Sequence, residues 1–136
     1  MKNNEIGIEI ELKSPYEISL KRVVEALKVQ GFGVLTQIDV QATLKDRLGE
    51  EFRPYSILGA CNPRLAHRAL TVNPSIGLML PCNVTVEESY PGNTIVRLAN
   101  PRTMLNLGGQ DDPELSKIAD EAYQRIKLVA DALSAK

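Results

Sequence analysis

The chain has 136 residues, 43% of them hydrophobic and 24% charged, and its 16 Lys and Arg against 17 Asp and Glu leave a net charge of -1. That composition predicts one folded domain over residues 1–136 and excludes disordered or fibrous chains. The even charge balance removes the broad positive footprint that duplex nucleic acid requires, and 4% aromatic residues with no Trp remove the stacking platforms of single-strand binders.

No apolar run approaches the roughly 18 residues of a membrane span. Glu9, Glu11 and Lys13 interrupt every N-terminal stretch that a secretion signal would need, so the chain is read as cytoplasmic, with Cys61 and Cys82 as free thiols.

Ile6, Ile8, Ile10 and Leu12 alternate with residues that include Glu5, Glu9, Glu11 and Lys13, the period of a strand with one buried and one wet face. Ser14-Pro15-Tyr16-Glu17 then combines an N-cap, a proline at the first helical position and a glutamate at the third. The helix that follows places Tyr16, Leu20, Val23, Val24 and Leu27 on one face and stops at Gly31, where a left-handed cap strains no Cβ. Gly33 to Val40 reads as a strand, and Ala42 to Leu48, before Gly49, as a short helix. Tyr55 to Cys61 is an apolar strand ended by Asn62-Pro63, a cap and first-turn proline that open a helix to Thr71.

Asn73-Pro74-Ser75 reads as a turn, and Ile76 to Leu80 as the start of a strand that Pro81 bends before Cys82 to Glu88 continues it. Pro91-Gly92-Asn93 is hairpin chemistry, returning Thr94 to Ala99 as the partner strand and ending the sheet. Asp112-Pro113-Glu114 opens a long amphipathic helix with Leu115, Ile118, Ala119, Ala122, Ile126, Val129, Ala130 and Leu133 on one stripe. The expected fold is α+β: a single-layer mixed or antiparallel sheet of about five strands, helices mainly on one face, and a long C-terminal helix.

Chemistry-bearing residues concentrate at two Cys-Asn steps. Cys61 precedes the cap Asn62 at a helix start, where free backbone N–H groups and the helix dipole favour a thiolate. It is the candidate nucleophile, with Cys82 as a resolving or supporting thiol. The alternative is that Cys61 is a small apolar residue filling space under the helix. Asn62, Arg64, His67 and Arg68 gather donors and positive charge at the same helix start, an anion-binding arrangement if they converge and a solvated face if they do not. Cys82 and Asn83 complete the candidate ligand-binding set.

Other chemistries lack their residues. The single His67 with two cysteines offers too few soft ligands for a metal site to be assigned, and no G-x-S-x-G step presents a hydrolase nucleophile. Gly31-Phe32-Gly33 follows a helix and precedes a strand, the reverse of a dinucleotide fingerprint. Gly108-Gly109-Gln110 precedes a helix, but Asp111, Asp112 and Glu114 repel an anion there. No cofactor is assigned.

Taken in order, Gly31-Phe32-Gly33-Val34-Leu35-Thr36, Ile38-Asp39-Val40, Thr43-Leu44-Lys45, Ile57-Leu58-Gly59-Ala60-Cys61-Asn62-Pro63 and Leu80-Pro81-Cys82-Asn83-Val84 form a string that resembles the domain-of-unknown-function 302 family. The resemblance implies a compact α+β domain that forms a homodimer, and it implies no reaction. The leading expectation is therefore a dimeric small-molecule or anion-binding protein with its site near the Cys61-Asn62-Pro63 helix start. A thiol-dependent enzyme or redox protein using Cys61 with Cys82, and an interaction protein with no ligand, are the alternatives.

Overall fold

A computed structural model describes residues 1–108 and 112–135 as β1 (Lys2–Asn3), β2 (Gly7–Leu12), α1 (Tyr16–Val29), β3 (Gly33–Asp39), α2 (Val40–Leu48), β4 (Tyr55–Cys61), α3 (Pro63–Val72), a 3-10 helix (Pro74–Met79), β5 (Cys82–Tyr90), β6 (Asn93–Ala99), α4 (Pro101–Gly108) and α5 (Pro113–Ser134). One sheet holds the strands in the order β1-β2-β6-β5-β4-β3, with every neighbouring pair antiparallel. The expected α+β class with its long C-terminal helix is the one observed. The sheet has six strands where about five were expected, because β1 is only two residues long and has no periodicity to read.

Alternation along the strands decides the layers. Ile8, Ile10 and Leu12 of β2 stand opposite Leu98, Val96 and Thr94 of β6, and all six are buried. The same face continues through Val84 and Val86 of β5 to Leu58 and Ala60 of β4. Against it pack Val23 and Leu27 of α1 and Ile126, Val129, Ala130 and Leu133 of α5. A second apolar cluster joins Leu65 and Ala69 of α3, Ile76, Leu105 of α4, and Leu115, Ile118, Ala119 and Ala122 from the first half of α5. The eight stripe residues read from the α5 sequence are all buried.

Helix ends follow local chemistry. Gly31 takes φ +85°, its N–H donates to the Lys28 carbonyl, and the Phe32 N–H reaches back to the Leu27 carbonyl. This paired closure with Phe32 and Leu27 both buried is a Schellman cap with its apolar contact. Asp112 caps α5, its Oδ1 accepting from the N–H groups of Glu114 and Leu115 at 2.9 and 3.2 Å. Asp39 likewise caps α2 through the Ala42 N–H at 2.9 Å.

Three expectations are corrected, and one further element is found. Ile6 is 76% exposed instead of buried, because Asn4 Oδ1 accepts from the Ile6 and Gly7 N–H groups and turns the chain just before β2. The α1 helix starts at Tyr16 with no side-chain cap; the Ser14 carbonyl instead accepts from the hydroxyls of Ser19 and Thr94. The predicted strand from Ile76 is a 3-10 helix, since Asn73 Oδ1 accepts from the Ser75 N–H at 3.0 Å to cap it and only Ile76 is drawn into the core. The chain after β6 forms α4, which opens on Asn100 accepting from the Arg102 N–H at 2.9 Å.

Leu98→Ala, at the centre of the sheet core, should lower the unfolding free energy by roughly 2–5 kcal/mol in urea titrations. Leu35→Ala, at 69% exposure on β3, should stay within about 0.5 kcal/mol. Equal losses at both positions would contradict this layering.

Candidate functional site

The Cys61 end forms where β4 meets α3. Asn62 Oδ1 accepts from the Leu65 N–H at 3.2 Å, as the cap requires, and Asn62 Nδ2 donates to the Gln30 carbonyl at 3.5 Å. Its amide is therefore used on both sides by the fold. Cys82 stands opposite Ala60 in the β4–β5 pair, one residue short of Cys61, so the cysteines are neighbours without being directly opposed, and both are free thiols. They border an apolar cavity of about 30 Å³ with Phe32, Leu65, Leu105 and Ile118. That is room for about one water.

Electrostatics spread the expected anion donors apart. Arg68 Nη1 donates to Glu121 at 2.8 Å, and its Nη2 lies 3.7 Å from Glu114. The Arg68 hydrogen bond holds the Glu121 carboxyl below the usual range, so this guanidinium is spent on α5. Arg64 and His67 lie exposed on α3. Burial, with a smaller contribution from Cys61, pushes the Cys82 thiol up from 9.0 to about 11. Roughly one part in ten thousand is then thiolate at neutral pH, and Cys82 packs as a small apolar group. Asn83, the last of the sequence candidates, turns away from this cavity into a different site.

Among the described residues, no three His, Cys, Asp or Glu side chains converge as metal ligands, and no helix is long and apolar enough to cross a membrane. Residues 109–111 of the Gly108-Gly109-Gln110 segment and of its acidic flank lie outside the described residues.

The second site is on the sheet face opposite α1 and α5. The register sets Gly7 beside Ala99 and Asn83 beside Gly59, and the Val84 to Leu98 pairing brings Ala99 next to Asn83. One step along, Glu9, Arg97, Thr85 and Ile57 form the adjoining row. Gly7 and Ala99 fill little space, so this end of the first row sinks into a hollow of about 400 Å³ with Ile6, Met104 and Tyr55 at its margins.

The adjoining row supplies the polar wall. Arg97 Nε donates to Glu9 at 3.0 Å and Arg97 Nη1 to Glu87 at 2.5 Å, while Arg53 Nη1 lies 3.3 Å from the other Glu87 oxygen. Arg97 is held further toward its charged form, foremost by the Glu87 hydrogen bond. Thr85 also lines the hollow, and its Oγ1 is buried with no hydrogen-bond partner. Sequence reasoning reached only Asn83 here. Gly7, Glu9, Thr85, Arg97 and Ala99 read as an ordinary solvated strand face, and only the strand register assembles them.

In pH-resolved alkylation of the native protein, Cys82 should show an apparent pKa near 11; a midpoint at the ordinary thiol value would refute its burial. The raised value makes the unfolded chain lose this proton first, so native stability should fall between the ordinary thiol range and about pH 11. Cys82→Ala should remove that part of the fall in a pH series of thermal melts.

No protein of curated function matches the chain. Among solved structures it is similar to an uncharacterized conserved protein DUF302 from Bacillus stearothermophilus, at TM-score 0.83 and 30% identity, over 95% of this chain and 98% of that one. The family model for the domain of unknown function DUF302 matches residues 8–133. Among the described residues, those limits coincide with the first and last buried ones, Ile8 and Leu133. The chain belongs to the DUF302 family.

Proposed function

We propose that this chain is a small-molecule-binding domain whose ligand rests in the hollow between Gly7, Asn83, Ala99 and the Arg97 wall. One observation carries the reading: this hollow of about 400 Å³, within the roughly 300–1,000 Å³ of small-molecule sites, is lined by Thr85, whose hydroxyl is buried with no hydrogen-bond partner, whereas the cavity at Cys61 and Cys82 holds about 30 Å³. The helix start at Asn62 is the weaker candidate for a ligand because its cap is already made and Arg68 is paired. For the thiol-enzyme alternative, burial of Cys82 argues against its part as the resolving or supporting thiol to Cys61, since it holds that thiol in its protonated form.

A fragment screen read by amide shifts should place its hits on Gly7, Asn83, Thr85 and Ala99. Hits grouped on Cys61, Asn62, Arg64 and His67 would return the site to the start of α3.

The outer strand β3 supports a homodimer. It ends the sheet with Leu35 69% and Ile38 49% exposed, and α2, which follows it directly, has no buried residue. A nine-residue helix without a buried face gains little from its own hydrogen bonds, and unpaired strand edges invite a second strand. A second copy set against β3 and α2 covers both. Sedimentation should give the dimer mass at micromolar concentration and the monomer mass for Ile38→Lys with its far-UV spectrum unchanged. A wild-type chain that stays monomeric at every concentration would overturn the pairing.

A further inference from the structure

We infer that the hollow takes a planar, uncharged heterocycle bearing a neutral donor and acceptor on one edge, an inference that rests on the small-molecule reading above. Charge comes first. The two charged groups on the wall, Glu9 and Arg97, neutralise each other at 3.0 Å, and Arg97 is claimed a second time by Glu87. An anion entering the hollow has to compete with two carboxylates already seated on the guanidinium, and a cation meets carboxylates already paired. Neither charge sign gains a free partner, so desolvating a charged ligand there goes uncompensated.

The polar capacity left over is neutral. Thr85 lines the hollow and keeps its Oγ1 buried without a partner, so turning that hydroxyl toward a ligand edge breaks no existing hydrogen bond and relieves an unpaired group. The Asn83 amide, two residues earlier in β5, offers both an acceptor and a donor. A lactam or pyrimidine edge presents the complementary pair.

Shape agrees with charge. Gly7 and Ala99 project almost nothing from neighbouring positions of β2 and β6, so the floor beside Asn83 is flat. The lack of a side chain at Gly7 is structural too: a Cβ there would stand 2.3 Å from the Leu98 carbonyl oxygen. Above this floor stand Met104 and Ile6, the latter 76% exposed. A flat ring laid on the floor would give Ile6 and Met104 an apolar face to cover and leave its edge toward Thr85 and Asn83.

The test uses the intact chain, titrated with uracil and nicotinamide as neutral heterocycles, benzoate and inorganic phosphate as anions, and benzylamine as a cation, each followed by amide shifts. Uracil or nicotinamide should move Gly7, Asn83, Thr85 and Ala99 at lower concentration than the charged probes. Thr85→Val, which keeps the shape and deletes the hydroxyl, should weaken that binding by about 5- to 30-fold. Ala99→Met, which fills the hollow and leaves Arg97, Glu9 and Glu87 in place, should abolish it. Tighter binding of benzoate, phosphate or benzylamine at the same four amides would overturn the ligand class and keep the hollow as the site. Shifts at none of those amides with any probe would overturn the hollow itself.

Discussion

Everything in this molecule hangs on one apolar stripe. The first half of α5, Leu115 to Ala122, closes the small cluster of α3, the 3-10 helix and α4; its second half, Ile126 to Leu133, lies on the sheet with α1. Each fully buried large side chain contributes roughly 1.5–3 kcal/mol, so this one helix ties the small cluster to the sheet core. Because α5 and α1 take one face, the other has no equivalent cover. Its residues Glu9, Ile57, Thr85, Glu87, Ile95 and Arg97 remain half-buried or exposed, and the candidate ligand site exists on this side for that reason.

What holds the uncovered face together is charge in place of packing. Lys2, Glu9, Arg97, Glu87 and Arg53 run as alternating signs from β1 across β2, β6 and β5 to the segment before β4. Exposed pairs of this kind contribute little each. Their larger effect is to position Arg97 and to use up its charge, which turns a strand face with several ionised groups into a surface of nearly neutral character. Charge pairing and the row of small residues beside it act on the same hollow from two sides.

The core was readable from periodicity because helix and strand repeats survive in the residue order. All eight α5 stripe residues and the β2 alternation of Ile8, Ile10 and Leu12 follow from spacing alone, and the Asn62 and Asp112 caps from their proline signatures. The failures are local and physical. Ile6 continues the alternation of β2, yet an Asn4 turn lifts it out of the sheet. The α4 helix has the same Asn-Pro opening as α3, but at eight residues it is too short for its helical period to stand out in the sequence. The site was less legible than the fold. Gly7 meets Ala99, and Arg97 meets Glu9, only through antiparallel register between strands far apart in sequence, β2 and β6, and no single-chain pattern encodes that pairing.

The Cys61 neighbourhood, suggestive of reactivity when read as a string of residues, works as a mechanical joint. Asn62 fastens the start of α3 with its carbonyl oxygen and holds the end of α1 with its amide nitrogen, through Gln30. Gly31, beside Gln30, is constrained twice: its φ of +85° excludes most side chains, and a Cβ would crowd Asn62 Nδ2 at 3.0 Å. Serine or aspartate could cap α3 equally well, but neither carries the amide donor that reaches across. The choice of asparagine and glycine at this corner is thus made jointly by two helices, and neither position can drift without the other.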